Sequence, residues 1–138
     1  MTDISTSIGN IKLGSPFLNA SGCWCYSYKD LEDMRHCQSG AYVSKTITMQ
    51  PRTGNPEPRL FYDANLSVNS MGLPNMGYAA YTHYSLTTKE RVKPFFLSIS
   101  TMDRKDTQQM MSLIAMTQSD TNVKGVEFNV SCPNIIGK

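Results

Sequence analysis

Pro94-Phe-Phe-Leu-Ser-Ile-Ser100, the segment Asp103 to Ser119, and Val126-Glu-Phe-Asn-Val130 together decide the fold. The first is a short run of aromatic and aliphatic residues opened by a proline, and it reads as a buried strand. The second offers Met110, Met111, Ile114 and Ala115 to a core and reads as a helix. The third is a β-prone run that ends at Ser131-Cys132-Pro133-Asn134, because Pro133 lacks a backbone donor and biases the preceding residue away from helix. Strand, helix and strand in succession imply parallel pairing with the helix as the crossover.

Outward from this unit the alternation continues. Gly77 to about Arg91, rich in Tyr and Ala, reads as a helix, and Ala41-Tyr-Val-Ser44 as a buried strand running into Lys45-Thr46. Ser27 or Asp30 starts a helix through about Gln38, with Leu31, Met34 and Cys37 on one face, and Gly40 closes it. Pro16-Phe-Leu-Asn-Ala20 is the first clear strand, ended by Ser21-Gly22. Before it, Ile8-Gly-Asn-Ile-Lys-Leu13 forms a small hairpin turning at Gly9-Asn10. Residues 48–76 carry Pro51, Gly54, Pro56, Pro58, Gly72 and Pro74 and read as one long irregular stretch, of a length that is usually functional or disordered.

The expected order is thus four strands with three crossovers, an α/β class. It suits a small open sheet or the first half of a (β/α)8 TIM barrel. No G-x-G-x-x-G or P-loop follows a strand, which argues against a dinucleotide or nucleoside-triphosphate fold. Polar residues follow each strand: Ser21-Gly22, Lys45-Thr46, Ser98 to Thr101, and Asn129 to Asn134. In a barrel these converge on the face where barrel enzymes place their chemistry.

Composition narrows the class further. The chain has 138 residues, a net charge of +2 and 17% charged residues, with no Lys/Arg-rich block. Neither nucleic acid nor a membrane is therefore an expected partner. The start, Met1-Thr-Asp-Ile-Ser-Thr-Ser7, lacks the basic and apolar regions of a signal peptide, so a cytoplasmic location is expected. Cys23, Cys25, Cys37 and Cys132 read as free thiols packing as small hydrophobes. With His36, Cys23, Cys25 and Cys37 offer four ligands, but not at zinc-site spacing, and no metal is expected.

Five motifs carry a resemblance: Asn19-Ala-Ser-Gly22, Val43-Ser-Lys-Thr46, Gly54-Asn-Pro-Glu-Pro-Arg59, Asn69-Ser-Met-Gly-Leu-Pro-Asn75 and Asn129-Val-Ser-Cys-Pro-Asn134. In this order and spacing they resemble the class 1A dihydroorotate dehydrogenases, soluble FMN enzymes of pyrimidine synthesis that use fumarate as electron acceptor. Gly54 to Arg59 and Cys132 point to this subclass, since the membrane-associated relatives carry serine at the Cys132 position. The resemblance implies a (β/α)8 barrel, of which residues 1–138 would be the N-terminal half of a single FMN-binding domain. It also implies a homodimer. A barrel needs about 250 residues and usually grips phosphate after its last strands, so a fragment inactive by itself is expected. A non-catalytic half-barrel, an interaction module, and a related flavin barrel acting on another pyrimidine stand as alternatives.

Carried over position by position, the resemblance places Ala20, Ser21 and Gly22 against the flavin through their backbone. Lys45 would face the flavin and the substrate carboxylate, where a fixed cation stabilises negative charge on the reduced ring. Thr46 would be a further flavin contact, and Asn129 would touch both flavin and substrate. Asn69, Met71, Gly72 and Leu73 would form the loop that binds dihydroorotate or orotate, with Asn134 on the far side of the pyrimidine. Cys132 would be the base that removes the C5 proton. Thiols ordinarily titrate near pH 8.5, which implies a basic optimum or a lowered pKa for such a base.

Each residue also has an ordinary structural reading. A strand-end lysine can be a solvated cap and a cysteine an inert thiol. Asn69 and Asn129 can be turn formers bonding their own backbone, and Gly72 can answer a need for positive φ. His36 and His83 read as surface or helix-packing residues; Trp24 and the tyrosines between 78 and 84 read as core or interface. Departures from the family pattern are Thr101 in place of Gly, Ile136 in place of Pro, Cys23-Trp24 in place of a small residue and His, and Val68 in place of a polar residue.

Overall fold

A computed structural model describes residues 2–88 and 93–135. Thr6–Ile8 (β1) and Ile11–Leu13 (β2) pair antiparallel, with Ile8 opposite Ile11. Gly9 takes the tight turn at φ 58°, a conformation that costs glycine no Cβ clash. Tyr28–His36 is α1, and Tyr42–Val43 is β3. The Ser27 hydroxyl accepts from the Asp30 N–H at 3.1 Å while the Asp30 carboxylate accepts from the Ser27 N–H at 2.9 Å, so this helix starts on a reciprocal capping box. Backbone and side-chain bonds from Ser27, outweighing partial desolvation, hold the Asp30 carboxyl below the usual carboxylate range.

Within the expected irregular stretch the structure places a second hairpin, Leu60–Tyr62 (β4) with Ser67–Asn69 (β5). Both strands are exposed throughout, so the hydrophobic alternation that announces a half-buried strand is absent, and the hairpin had no periodic signature to read. Tyr78–Thr87 (α2), Phe95–Ser100 (β6), Arg104–Thr117 (α3) and Val123–Asn129 (β7) complete the chain. The expected helix tail to Arg91 runs into residues 89–92, outside those described, as does Ile136.

β3, β6 and β7 form one parallel sheet in that order. Phe95, Leu97 and Ile99 point from β6 to one face, where they pack with Tyr42, Ile47, Tyr81, Tyr84, Met110, Ile114 and Val123. Stacked Tyr42 and Phe95, with ring centroids 4.6 Å apart, anchor this core. Ser98 and Ser100 alternate to the opposite face. This mixed α/β arrangement, a parallel sheet with covering helices, is the class expected, and its order suits the first part of a (β/α)8 barrel.

The expected first strand, Pro16–Ala20, is a correction. It lies beside β3 and forms no backbone ladder. The Asn19 side chain takes the ladder's place: its Oδ1 accepts from the Val43 N–H at 2.9 Å and its Nδ2 donates to the Val43 carbonyl at 3.0 Å. One backbone bond, from the Gly40 N–H to the Phe17 carbonyl at 2.8 Å, ties the segment's start. A Cβ on Gly40 would lie 1.9 Å from the Ser15 carbonyl oxygen, so only glycine lets the two backbones approach. Two other expectations change. Trp24 is not a core residue, standing 75% exposed at a positive φ of 47°. Cys37 leaves the packed face of α1 and becomes its exposed C-cap.

Candidate functional site

The ends of the strands are built around an irregularity. The Ser44 N–H donates to the Phe96 carbonyl at 3.0 Å, and the next ladder bond runs from the Ile47 N–H to the Ser98 carbonyl at 2.9 Å. Three steps along the β3 extension therefore match two along β6. The Ser98 N–H, left without its ladder partner, donates to the Ser44 hydroxyl at 3.0 Å instead. This bulge re-aims Lys45 and Thr46 out of the sheet edge.

Thr46, 2% exposed, becomes the hub. Its hydroxyl accepts from Asn129 Nδ2 at 3.2 Å, stands 3.0 Å from Ser98 Oγ and reaches Ser21 Oγ at 3.3 Å. Its N–H donates to the Ser21 carbonyl at 3.3 Å, and the Lys45 N–H donates to the Cys25 carbonyl at 3.0 Å. Ala20 is exposed and closes the turn, its carbonyl accepting from the Cys23 N–H at 3.0 Å. A Cβ built on Gly22 would meet nothing nearer than Lys45 Nζ at 4.0 Å, so the surface beside the ammonium is open. Beneath this shelf Cys25 is buried. Desolvation pushes its thiol up to about 12 despite the nearby Lys45 charge.

Asn129 is a turn former, as its ordinary structural reading has it, and it also faces the shelf. Its Oδ1 accepts from the Ser131 N–H at 3.2 Å, shaping the turn out of β7, while its Nδ2 faces Thr46. Thr101 holds the same strand end, donating from its hydroxyl to the Asn129 carbonyl at 2.9 Å and from its N–H at 3.3 Å. Sequence reading flagged Thr101 only as a departure; the hydroxyl gives it a holding role that glycine lacks.

A second cluster forms from the loops. Asn134 Nδ2 donates to Asn69 Oδ1 at 3.0 Å, and Asn69 Oδ1 also accepts from the Met71 N–H at 3.5 Å. Gly72 has φ 73° and Leu73, 7% exposed, φ 55°, so both sit in the left-handed region. Asn75 was given no role, yet it is 1% exposed and organises the base of this loop. It accepts from the Gly77 N–H at 2.9 Å and the Thr48 N–H at 3.2 Å, and donates to the Leu73 carbonyl at 2.9 Å. A buried amide with this many local partners is legible only once the chain has folded back on itself. Cys132 is half-buried on the loop that runs from Asn129, in the strand-end cluster, to Asn134, in the loop cluster.

The structure thus brings Ser21, Gly22, Lys45, Thr46 and Asn129 to one shelf and Asn69 and Asn134 to another. A broadly open cleft of about 950 Å³ lies at the opposite end of the sheet, lined by Ile11, Lys12, Pro94 and Val123 among others. Its volume does not make it the site, because the strand-end polar groups face away from it.

The family model for dihydroorotate dehydrogenase matches residues 3–138. The chain belongs to the dihydroorotate dehydrogenase family. It is 41% identical over 140 residues to dihydroorotate dehydrogenase A (fumarate) of Lactococcus lactis subsp. lactis (strain IL1403), covering 98% of this chain and 43% of that protein. Against dihydroorotate dehydrogenase (fumarate) of Trypanosoma brucei brucei it is 42% identical over 130 residues, covering 92% and 41%. Against that of Lachancea kluyveri it is 39% identical over 128 residues, covering 90% and 40%. The chain therefore spans less than half the length of these relatives. Among the described residues no helix is long and apolar enough to cross a membrane.

Proposed function

We propose that this chain supplies the N-terminal part of the active site of a dihydroorotate dehydrogenase, which oxidises dihydroorotate to orotate with bound FMN and passes the electrons to fumarate. The observation that carries the reading is the closure of residues from separate motifs into two clusters joined by the Cys132 loop. The shelf fits a flavin: Gly22 leaves open space, Ser21 and Thr46 are small, and Lys45 puts an ammonium beside them. Ala20, Ser21, Gly22, Lys45, Thr46 and Asn129 would hold it. When bound, FMN supplies a hydride acceptor for C6 of dihydroorotate.

The protein's own residues do the rest. The Cys132 thiolate takes the C5 proton, and the electron pair of that C–H bond becomes the new ring double bond as the C6 hydride leaves. Lys45 offsets negative charge on the substrate carboxylate and on the shelf. The second hydrogen of Asn129 Nδ2, beyond the one given to Thr46, is available to the substrate ring. Asn69, Met71, Gly72 and Leu73 close over the ring from one side, and Asn134 from the other. The proposal extends to a cytoplasmic homodimer, which sedimentation of the flavin-loaded protein checks.

The test is Cys132→Ala in flavin-loaded protein of the relatives' full length that carries this chain. Turnover of dihydroorotate is expected to fall by about 10² to 10⁴, the usual worth of a positioned base, with the flavin spectrum unchanged. Loss of flavin with turnover per flavin unchanged would assign Cys132 a structural role instead.

A further inference from the structure

The stretch Gly54 to Arg59 lies outside both clusters, yet one of its residues touches both loops. Asn55 Nδ2 donates to the Ser70 carbonyl at 2.8 Å and to the Asn134 carbonyl at 2.7 Å. A primary amide nitrogen has two hydrogens, and here each is spent on a different loop. The Asn55 N–H adds a third bond, to the Met71 carbonyl at 3.0 Å.

Asn55 is itself held. Its carbonyl accepts from Arg59 Nη1 at 3.3 Å, the same nitrogen donates to the Thr53 carbonyl at 2.6 Å, and Arg59 Nε pairs with Glu57 at 2.7 Å. The backbones around it fit without spare room. Gly72, at positive φ, would carry a Cβ 2.3 Å from Asn55 Oδ1, and Gly54, at φ 83°, a Cβ 2.4 Å from the Met71 carbonyl oxygen. Asn69 and Ser70 are exposed while Gly72 and Leu73 are buried, so at its outer end the 69–73 loop is connected by hydrogen bonds rather than apolar burial. A connection of that kind opens and closes readily.

We propose that Asn55 is a positioning residue that latches the 69–73 loop to the Cys132–Asn134 loop, so that the two sides of the substrate ring are gripped together. This rests on the dihydroorotate reading above. An amide suits the task because both acceptors are carbonyl oxygens. A carboxylate of the same shape would set negative oxygens against them, and a methyl group would leave them unbridged.

The experiment compares Asn55→Ala and Asn55→Asp in flavin-loaded protein of the relatives' full length that carries this chain, measuring amide hydrogen exchange, dihydroorotate kinetics, and orotate binding by flavin absorbance. In Asn55→Ala, exchange is expected to quicken about tenfold in residues 69–73 and 131–135 together. KM and the orotate dissociation constant are expected to rise by a similar factor, with flavin content and melting temperature near the parent's. Asn55→Asp is expected to bind orotate more weakly than the alanine variant at pH 7.5 and to regain affinity as pH falls, because a protonated carboxyl can donate to one of the two carbonyls; the alanine variant regains none. Quickened exchange in 69–73 alone overturns the latch, as does unchanged exchange in both loops. Lost flavin or melting temperature at constant KM overturns it too, assigning Asn55 to general stability. If the parent protein fails to oxidise dihydroorotate, the functional reading falls, while coupled exchange of the two loops still decides the latch.

Discussion

The strand-end cluster and the loop cluster hold asparagines by opposite means. Asn129 is set by the sheet: β7 is in register with β6 from Phe96–Gly125 to Ser100–Asn129, and its amide meets the hydroxyl of Thr46, a residue 2% exposed. Asn69, at the exposed end of β5, and Asn134, on the loop after β7, meet each other away from that core. The first cluster rides on the core formed by Phe95, Leu97 and Ile99, so moving it means disturbing that core. The second can open by exchanging a few hydrogen bonds with water, at about 1 kcal/mol each. On the proposed reading a flavin would need a fixed shelf and a substrate a way in, and the two constructions would answer these needs separately.

The contrast breaks first at the core. Ile99 is 0% exposed beneath the shelf, and Ile99→Ala is expected to cost about 2–5 kcal/mol in urea unfolding. A cost below about 1 kcal/mol would mean the shelf does not depend on that core. Next comes Thr46→Val, which leaves the buried Ser98 hydroxyl without its 3.0 Å partner and Asn129 without its anchor. It is expected to cost about 1–3 kcal/mol and to weaken flavin retention, read by the flavin lost on gel filtration. Retention equal to the parent's would remove Thr46 from the shelf.

A pH test sharpens the same contrast. Burial raises the folded Cys25 thiol from an ordinary 9.0 to about 12. A group raised on folding stabilises the fold fully below its unfolded pKa and loses that contribution as pH rises. Stability is therefore expected to decline between about pH 9 and pH 12, and Cys25→Ala should flatten that part of the profile. Cys37 provides the opposite case. Partial burial pushes its thiol up, but the Ser39 hydroxyl and amide and the Lys93 ammonium outweigh this and leave it below the ordinary value. The smallest effect belongs to the loop hairpin. Leu60 is 53% exposed, and Leu60→Ala is expected to change unfolding by no more than about 0.5 kcal/mol. A larger loss would show that β4 is packed in solution.

Much of this was legible in the residues. Ser27 with Asp30, the apolar run Phe95 to Ile99, and Met110 with Ile114 are local patterns, and each produced its element. Gly72 was legible as a positive-φ position, and the polar ends of β3, β6 and β7 as a converging face. What stayed hidden depended on partners far along the chain. Asn19 imitates a strand residue only because Val43 lies beside it, and Asn75 is a loop organiser only because Thr48 returns to it. The β4–β5 hairpin, exposed on both strands, gave no alternation to read.

By itself the sequence determined the alternation of elements, the family and the identity of the chemical groups, since periodicity and motifs are properties of neighbouring residues. Tertiary structure alone decided which of those groups meet. The one-residue bulge at Ser44 to Ile47 turns Thr46 toward Ser98 and Asn129, and the folding back of residues 54–59 puts Asn55 between two loops. The reason is physical: a hydrogen bond between residues 79 apart in the chain, as from Asn55 to Asn134, has no local signature and exists only when both backbones arrive in register.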